Sequence, residues 1–327
     1  MPISSVGGEP LNILRLVDER PGHLAQTAGL CSALGRLTRV MATDVPTSGA
    51  WRSVRRALAR GPSPVVIARS GRGPQASQTT ETLILCCGHT THLSGLALRR
   101  IHGGRLVVLM RPTLPTVLFD LVVAPDHDSL KENDRIILTR GVLNPMTSAG
   151  THCANRGLAL IGGPSRHHLW NDAAIAAQVE EIAKAEPEVQ WTVTTSRRTP
   201  VETARALLSL NRPNMNVVPI EQTGPGWVAK QLADASTAWI TEDSVSMVYE
   251  ALTAGVSVGL IEVPARRASR ITRGIRTLAD ERRVTRFGDW RPGEALPRVI
   301  PLAEADRIAA EILRRWFPAR LRKADHT

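Results

Sequence analysis

Three stretches in the second half of the chain place glycines, hydroxyls and arginines where an anion can be held. "LALIGGPSRHH" (158–168) is an apolar run that ends at Gly162-Gly163. Glycines there admit a ligand close to the backbone, the amides that follow can cradle a phosphate, and Ser165 and Arg166 add donors. "WTVTTSRRTP" (191–200) carries Ser196, Arg197, Arg198 and Thr199 at the end of a second run. "WITEDSVSMVYEALTAGVSVGLIEV" (239–263) reads as strand, helix, glycine, strand, with Asp243 or Ser244 as N-cap and Gly255 as the residue that ends the helix. The amino end of that helix, with Thr241, Ser244 and Ser246, can hold phosphate. Met247 and Glu250 lie on adjoining faces of its first two turns, and Glu250 can accept hydrogen bonds from a ribose diol. Singly, each stretch has a plainer reading: a βα turn, solvated arginines, a capped helix with a solvated glutamate. Three anion-suited strand ends in succession favour a nucleotide diphosphate.

The first half offers fewer candidates. Arg20-Pro21-Gly22-His23 joins the apolar run "LNILRLV" to a pattern in which Leu24, Ala28, Leu30 and Leu34 recur near helical spacing. The histidine at that joint is either an incidental turn residue or half of an active site. Asp126-His127-Asp128 follows "DLVVA". It is an acid–His–acid triplet able to act on an acceptor, or a turn held by aspartate–backbone hydrogen bonds. Arg111, after "RLVVLM", is placed to meet an anionic acceptor. His89 and His92 have an i,i+3 spacing that invites zinc but lack a third ligand, and the same holds for His167-His168. No metal is expected.

These residues need strand ends and helix starts to position them, and the pattern supplies both. Strands are expected at 11–17, 64–68, 82–87, 105–110, 120–124, 135–138, 157–162, 190–194, 215–219, 236–240 and 257–262. Helices are expected at 24–37, 50–60, 91–101, 171–185, 200–210, 226–233, 244–254 and 303–316. Uninterrupted apolar strands alternating with helices predict an α/β protein with parallel sheets. The Gly-, Ser-, Thr- and Asn-rich stretch "TRGVLNPMTSAGTHCANRG" (139–157) is the natural boundary. It predicts an N-terminal domain over 1–150 and a C-terminal domain over 151–302, two Rossmann-like halves facing a cleft at the carboxyl ends of their sheets. A last helix within 303–327 would cross back toward the first domain.

Composition narrows the partners. The 327 residues carry a net charge of +11 from 41 basic and 30 acidic side chains, and only Lys131, Lys184, Lys230 and Lys323 are lysines. Arginine suits bidentate capture of phosphates and carboxylates. Aromatics are 3%, which argues against a base-stacking surface and hence against nucleic acid. An anionic membrane surface or a phosphorylated substrate suits the charge better. In "GAWRSVRRALARG" (49–61), Trp51, Val54 and Leu58 share a face ringed by Arg52, Arg55, Arg56 and Arg60. That is a helix able to lie on anionic lipid or to pack on a sheet. The N-terminus lacks a signal-peptide pattern and no run is long enough for a membrane helix, which predicts a cytoplasmic protein, peripheral at most on the inner face of the cell membrane. The four cysteines have no metal spacing and are expected as buried free thiols.

The arrangement resembles GT-B glycosyltransferases and related non-hydrolysing nucleotide-sugar 2-epimerases. The "GH" opening and "TRGVLNP" (139–145) look like counterparts in the transferase that makes lipid II. More closely, the chain resembles the bacterial branch of the mitochondrial-fission Elm-type family. The stretches that carry this are "DERPGHLAQTAGL" (18–30), "GRGPQ" (71–75), "APDHD" (124–128), "TRGVLN" (139–144), "IGGPSRHH" (161–168), "TSRRTP" (195–200) and "TEDSVSMVYEALTAG" (241–255). The resemblance implies a C-terminal domain that binds a nucleotide sugar through the Gly162 loop and the later helix, with Glu250 on the ribose. It also implies His23 as the base near an acceptor hydroxyl, Gly22 admitting that acceptor and Gln26 one helical turn behind. Asp18 and Glu19 are alternative bases. No paired-aspartate metal motif is present, in keeping with chemistry in which helix dipoles and arginines stabilise the leaving diphosphate. The expected function is transfer of a sugar from a nucleotide diphosphate sugar, the donor substrate, to a cell-envelope or lipid-linked acceptor, with no cofactor. A 2-epimerase on the same fold and a non-catalytic membrane-surface scaffold are the alternatives.

Overall fold

The computed structural model describes residues 9–47, 81–267 and 270–321. The strand expected at 64–68, the basic helix at 49–61 and the stretch 71–75 lie outside these residues. The chain forms two compact units, one of Met1–Pro145 with Glu304–Thr327 and the other of Met146–Ala303.

In the first unit, β1 (Leu11–Val17), β2 (Val40–Pro46), β3 (Thr82–Cys87), β4 (Arg105–Leu109), β5 (Leu121–Pro125) and β6 (Ile136–Thr139) form one sheet. Its order is β2-β1-β3-β4-β5-β6 and every pairing is parallel. The strand "TLILCC" is apolar throughout because it is covered on both faces. Leu83, Leu85 and Cys87 enter one core cluster, and Ile84 and Cys86 enter the other. The first cluster is closed by α1 (Pro21–Leu37) through Leu30 and Leu34 and by α8 (Glu304–Trp316) through Ile308 and Ile312. The second takes Leu98 of α2 (His92–His102). Each of these buried leucines and isoleucines contributes about 1.5–3 kcal/mol. An exposed ion pair of 2.6 Å between Arg36 and Asp306 ties α1 to α8.

The second unit repeats the plan with another order. β7 (Cys153–Leu160), β8 (Gln190–Thr194), β9 (Met215–Val218), β10 (Ala235–Thr241), β11 (Ser257–Ile261) and β12 (Thr285–Arg286) run β12-β11-β10-β7-β8-β9. All pairings are again parallel. The helices are α3 (Asp172–Ala185), α4 (Val201–Ser209), α5 (Trp227–Asp234), α6 (Val245–Ala254) and α7 (Arg270–Asp280). Val248 and Leu252 of α6 pack with Ile240 on one face. Ile175, Val179 and Ile182 of α3 pack with Trp191 and Trp239 on the other. Both units are Rossmann-like, and in each the winding reverses at one pair of neighbouring strands: β1 and β3 in the first, β7 and β10 in the second. Ligands of open α/β sheets bind beyond the carboxyl ends of such a pair, where loops leave in opposite directions.

The structure moves several expected boundaries. β7 begins at Cys153, inside the stretch expected as linker, so Gly162 lies beyond its end rather than within it. α1 begins at Pro21, not Leu24. Proline suits a first helical position because its missing N–H would have no partner there. His23 is therefore a residue of a helical first turn. Two of the four thiols, Cys31 and Cys153, are half-buried rather than buried.

Candidate functional site

At the second unit's reversal point, the ends of β7, β8 and β10 are bonded to one another. The Gly162 amide donates to Thr241 Oγ1 at 2.7 Å, and the Gly163 amide donates to Asp243 Oδ2 at 3.1 Å. Ser196 Oγ and Thr199 Oγ1 donate to the Gly162 carbonyl, at 3.0 and 2.5 Å. Arg198 Nη1 donates to the Gly163 carbonyl at 2.9 Å and Nη2 to Asp243 Oδ2 at 2.8 Å. Glycine is required at both turn positions. A Cβ on Gly162 would run into the Asp243 carboxylate, and one on Gly163 into the Arg198 backbone. Thr241, Ser196, Thr199 and Arg198, all expected to face a ligand, thus build the frame of the site. Arg197 is exposed and makes no hydrogen bond or ion pair among the described residues.

Ser244 occupies the N-cap position of α6, as one of the two expected candidates, but no side chain caps the helix. Asp243 is turned instead to Gly163 and Arg198. The amino end of α6 consequently keeps unbonded amide donors and the positive end of its dipole, the combination that holds phosphate. Glu250 lies six residues past Ser244, about 9 Å along the axis at 1.5 Å per residue. The expected plain reading, a solvated glutamate, does not hold. Glu250 is half-buried and unpartnered among the described residues, and burial pushes its carboxyl up to about 7. A carboxyl group in this state gains from a donor brought by a ligand. Ser246 is exposed, Met247 packs at the margin of the core, and Ser165 Oγ accepts from the amides of His167 and His168. His168 is buried, with Nδ1 3.2 Å from Ser165 Oγ.

The first unit's reversal point holds a second polar cluster. Asp18 follows β1, and Gly88 and Thr90 follow β3. His23 Nδ1 lies 2.8 Å from Asp18 Oδ2. The same oxygen accepts from Thr90 Oγ1 at 3.0 Å, and Oδ1 accepts from the Arg20 amide at 3.2 Å. Burial alone would raise the Asp18 carboxyl, but the bonds from His23, Arg20 and Thr90 outweigh it and hold the group below its ordinary range. Since a carboxylate only accepts, Nδ1 donates to it, and in the neutral imidazole Nε2 then keeps its lone pair. Asp18, an expected alternative base, thus orients the histidine. Gly88 has φ +84°, and a Cβ there would strike the His23 ring. At Gly22 a Cβ would meet nothing within 4 Å, so no protein group demands glycine there.

The remaining candidates are placed elsewhere or otherwise engaged. Gln26 is buried one turn after His23. Asp126 to Asp128 form a single turn in which Asp126 Oδ1 accepts from the His127 amide at 2.7 Å. Arg111 is fastened to that turn, its amide donating to Asp128 Oδ2 and its Nη1 to the Asp128 carbonyl, each at 3.2 Å. This is the turn reading of the triplet. His92 is buried edge-on to Phe119 at 5.4 Å, and burial lowers its pKa. Among the described residues no three His, Cys, Asp or Glu side chains cluster as a metal site. Gly88, Thr90 and the bridging role of Asp243 were not anticipated. An aspartate beside a serine at a helix start reads first as a cap.

The family model for mitochondrial fission ELM1 matches residues 21–316, nearly the whole of both units. The chain belongs to the mitochondrial fission ELM1 family. No curated protein matches the sequence of this ELM1-family chain. Among solved structures it is similar to a Listeria monocytogenes protein described as a UDP-N-acetylglucosamine 2-epimerase. The two are 12% identical over 96% of this chain and 90% of that one, with a TM-score of 0.53. Another UDP-N-acetylglucosamine 2-epimerase structure is 12% identical over 97% of this chain and 90% of its own, with a TM-score of 0.51. These likenesses identify the fold, two Rossmann-like α/β units of GT-B type.

Proposed function

We propose that this ELM1-family protein transfers a sugar from a nucleotide diphosphate sugar to an acceptor hydroxyl. The observation that carries the reading is Glu250, a half-buried carboxyl without a partner among the described residues, on a helix whose amino end is left uncapped beside a glycine turn. The diphosphate would lie on the first turn of α6 and the Gly162–Gly163 turn, with the exposed Arg197 supplying positive charge. The ribose hydroxyls would donate to Glu250. The acceptor hydroxyl would lose its proton to His23 Nε2, with Asp18 fixing the ring and stabilising the imidazolium that forms. Charge on the departing diphosphate would be balanced by the helix dipole and the arginine, without a metal.

A lipid-linked acceptor of the cell envelope, met at an anionic membrane surface, suits the net charge of +11. Among the described residues no helix is long and apolar enough to cross a membrane, so contact with lipid would be peripheral. A nucleotide-sugar 2-epimerase would share the donor site, and the names of the two solved structures above favour it as the second reading. Transfer needs one base poised for an acceptor proton, which the Asp18–His23 pair supplies, whereas epimerisation needs groups acting on the sugar itself.

The test is calorimetric titration with a panel of nucleoside diphosphates and their sugars, followed by measurement of nucleotide release with and without acceptor. The reading expects binding by the wild type, a loss of roughly ten- to a hundred-fold in Glu250→Ala, and release that depends on acceptor. Absence of binding to any nucleotide would sink it. Consumption of the nucleotide sugar without acceptor would select the epimerase.

A further inference from the structure

We infer that the second unit carries a separate site for a sugar phosphate along its outer edge, beside β12. A cavity of about 630 Å³ opens there, lined among others by Arg282, Arg291, Asp289, Glu294 and Trp290. Its volume lies in the range of small-molecule sites. The side chains of Arg282, Arg291, Asp289 and Glu294 are exposed and make no hydrogen bond or ion pair among the described residues. Arg286 also lines the cavity but is committed to Glu242 at 3.0 Å and to Glu262 at 3.3 Å.

The backbone at Arg282 gives the second, independent observation. The Arg282 amide donates to the Ala279 carbonyl and the Arg283 amide to the Leu278 carbonyl, at 2.9 and 2.8 Å. These two bonds form the reversal that ends α7, and they place Arg282 at the position that favours glycine, with φ +54°. A side chain is strained there, and such strain gathers at sites where the side chain is used. The use available to Arg282 is the cavity it lines.

The chemistry of the lining selects the ligand. Two free guanidinium groups suit the oxygens of a phosphate ester. The Glu294 carboxylate only accepts, and a sugar supplies the hydroxyl donor it needs, while Asp289 is already drawn to the Arg286 guanidinium. The Trp290 indole is packed edge-on against Trp239 in the core, and its Nε1 bond of 2.8 Å to the Glu294 carbonyl fixes the backbone that carries Glu294 at the cavity. Inorganic phosphate would satisfy the arginines alone, and a neutral sugar the carboxylate alone.

The experiment titrates the full chain with glucose 1-phosphate, inorganic phosphate and glucose, and repeats the series on Arg282→Gly and Glu294→Gln. The wild type should bind glucose 1-phosphate at least tenfold more tightly than either control compound. Both variants should lose about tenfold or more in affinity. Arg282→Gly should also melt about 2 °C higher than wild type, because glycine relieves the left-handed backbone. That combination of weaker binding with higher stability has no explanation in a damaged fold. Glucose 1-phosphate binding that is absent from the wild type, matched by inorganic phosphate or unchanged in Arg282→Gly overturns the assignment.

Discussion

Arg198 and Asp243 form an ion pair of 2.8 Å in which the carboxylate side chain has no exposed surface and the arginine is 45% exposed. The pair joins the end of β8 to the start of α6, and through the Gly163 amide it reaches the turn after β7 as well. The two adjacent arginines therefore differ: Arg198 holds the frame, while Arg197 is exposed and unpartnered among the described residues.

Arg198→Ala leaves Asp243 buried with the Gly163 amide as its remaining hydrogen bond. It should destabilise the second unit by about 1–3 kcal/mol. Arg197→Ala should leave stability within about 0.5 kcal/mol of wild type and weaken nucleotide binding instead. Urea unfolding paired with calorimetry on both variants checks the division, and equal stability losses would contradict it.

His23→Ala should lower turnover by about two to four orders of magnitude with donor binding nearly unchanged. Asp18→Asn keeps the shape of its side chain but removes the charge that fixes the Nδ1–H tautomer. On the proposed reading it should lower turnover with little change in donor affinity, because Asp18 would act only through His23. Steady-state kinetics measured together with nucleotide affinity separates this from general damage.

Gly88→Ala tests whether the His23 ring must sit where it does. The new methyl group has nowhere to go without moving the ring, and φ +84° is itself strained for alanine, by about 1–3 kcal/mol. A crystal structure of the variant should show the imidazole displaced from Asp18, with activity falling accordingly. Normal activity with an unmoved ring would refute the packing argument.

Glu250 gives the ligand-free protein a specific pH dependence. Its carboxyl is held at about 7 against 4.5 for the free group, so the folded state binds an extra proton between those values. Stability from this group is fully present below pH 4.5 and is lost as pH rises through about 7, by roughly 3 kcal/mol in all. Glu250→Gln should flatten that slope and leave the protein more stable than wild type above pH 7. Thermal melts from pH 4.5 to 8 on both proteins measure it. A matching slope in the variant would remove Glu250 as its source.

Much of this architecture is legible in the chain because buried parallel strands are written as unbroken apolar runs. "TLILCC", "RLVVL" and "SVGLI" need no context. The missed elements are those without such a signature. β2 is an edge strand exposed from Met41 to Asp44, and "VMATDVP" has little apolar pattern to show. In α7 the apolar residues Ile271, Ile275 and Leu278 do recur at helical spacing, but they are three among arginines and threonines in a segment of low mean hydropathy, with no long apolar run to mark it. At the candidate site, residue types were legible but their allegiance was not. Thr241, Ser196 and Arg198 are as well suited to one another as to a phosphate, and only the packing of three loops decides between the two. The Asp18–His23 pair was hidden by its five-residue spacing, which crosses from a strand end into the first turn of a helix.

The return of α8 to the first unit bears on how the chain is made. Ala305, Ile308, Ala309, Ile312, Leu313 and Phe317 belong to the same core cluster as Leu11, Leu30 and Leu83. During synthesis, domains ordinarily fold in the order in which they are made. Here the whole of Met146–Ala303 is synthesised before the first unit receives the helix that closes one face of its sheet. The later-encoded unit can therefore complete its fold first, while Leu30, Leu34 and their neighbours wait with apolar surface uncovered. A nascent chain halted before residue 304 would present that surface to chaperones, and release of the following segment would withdraw it.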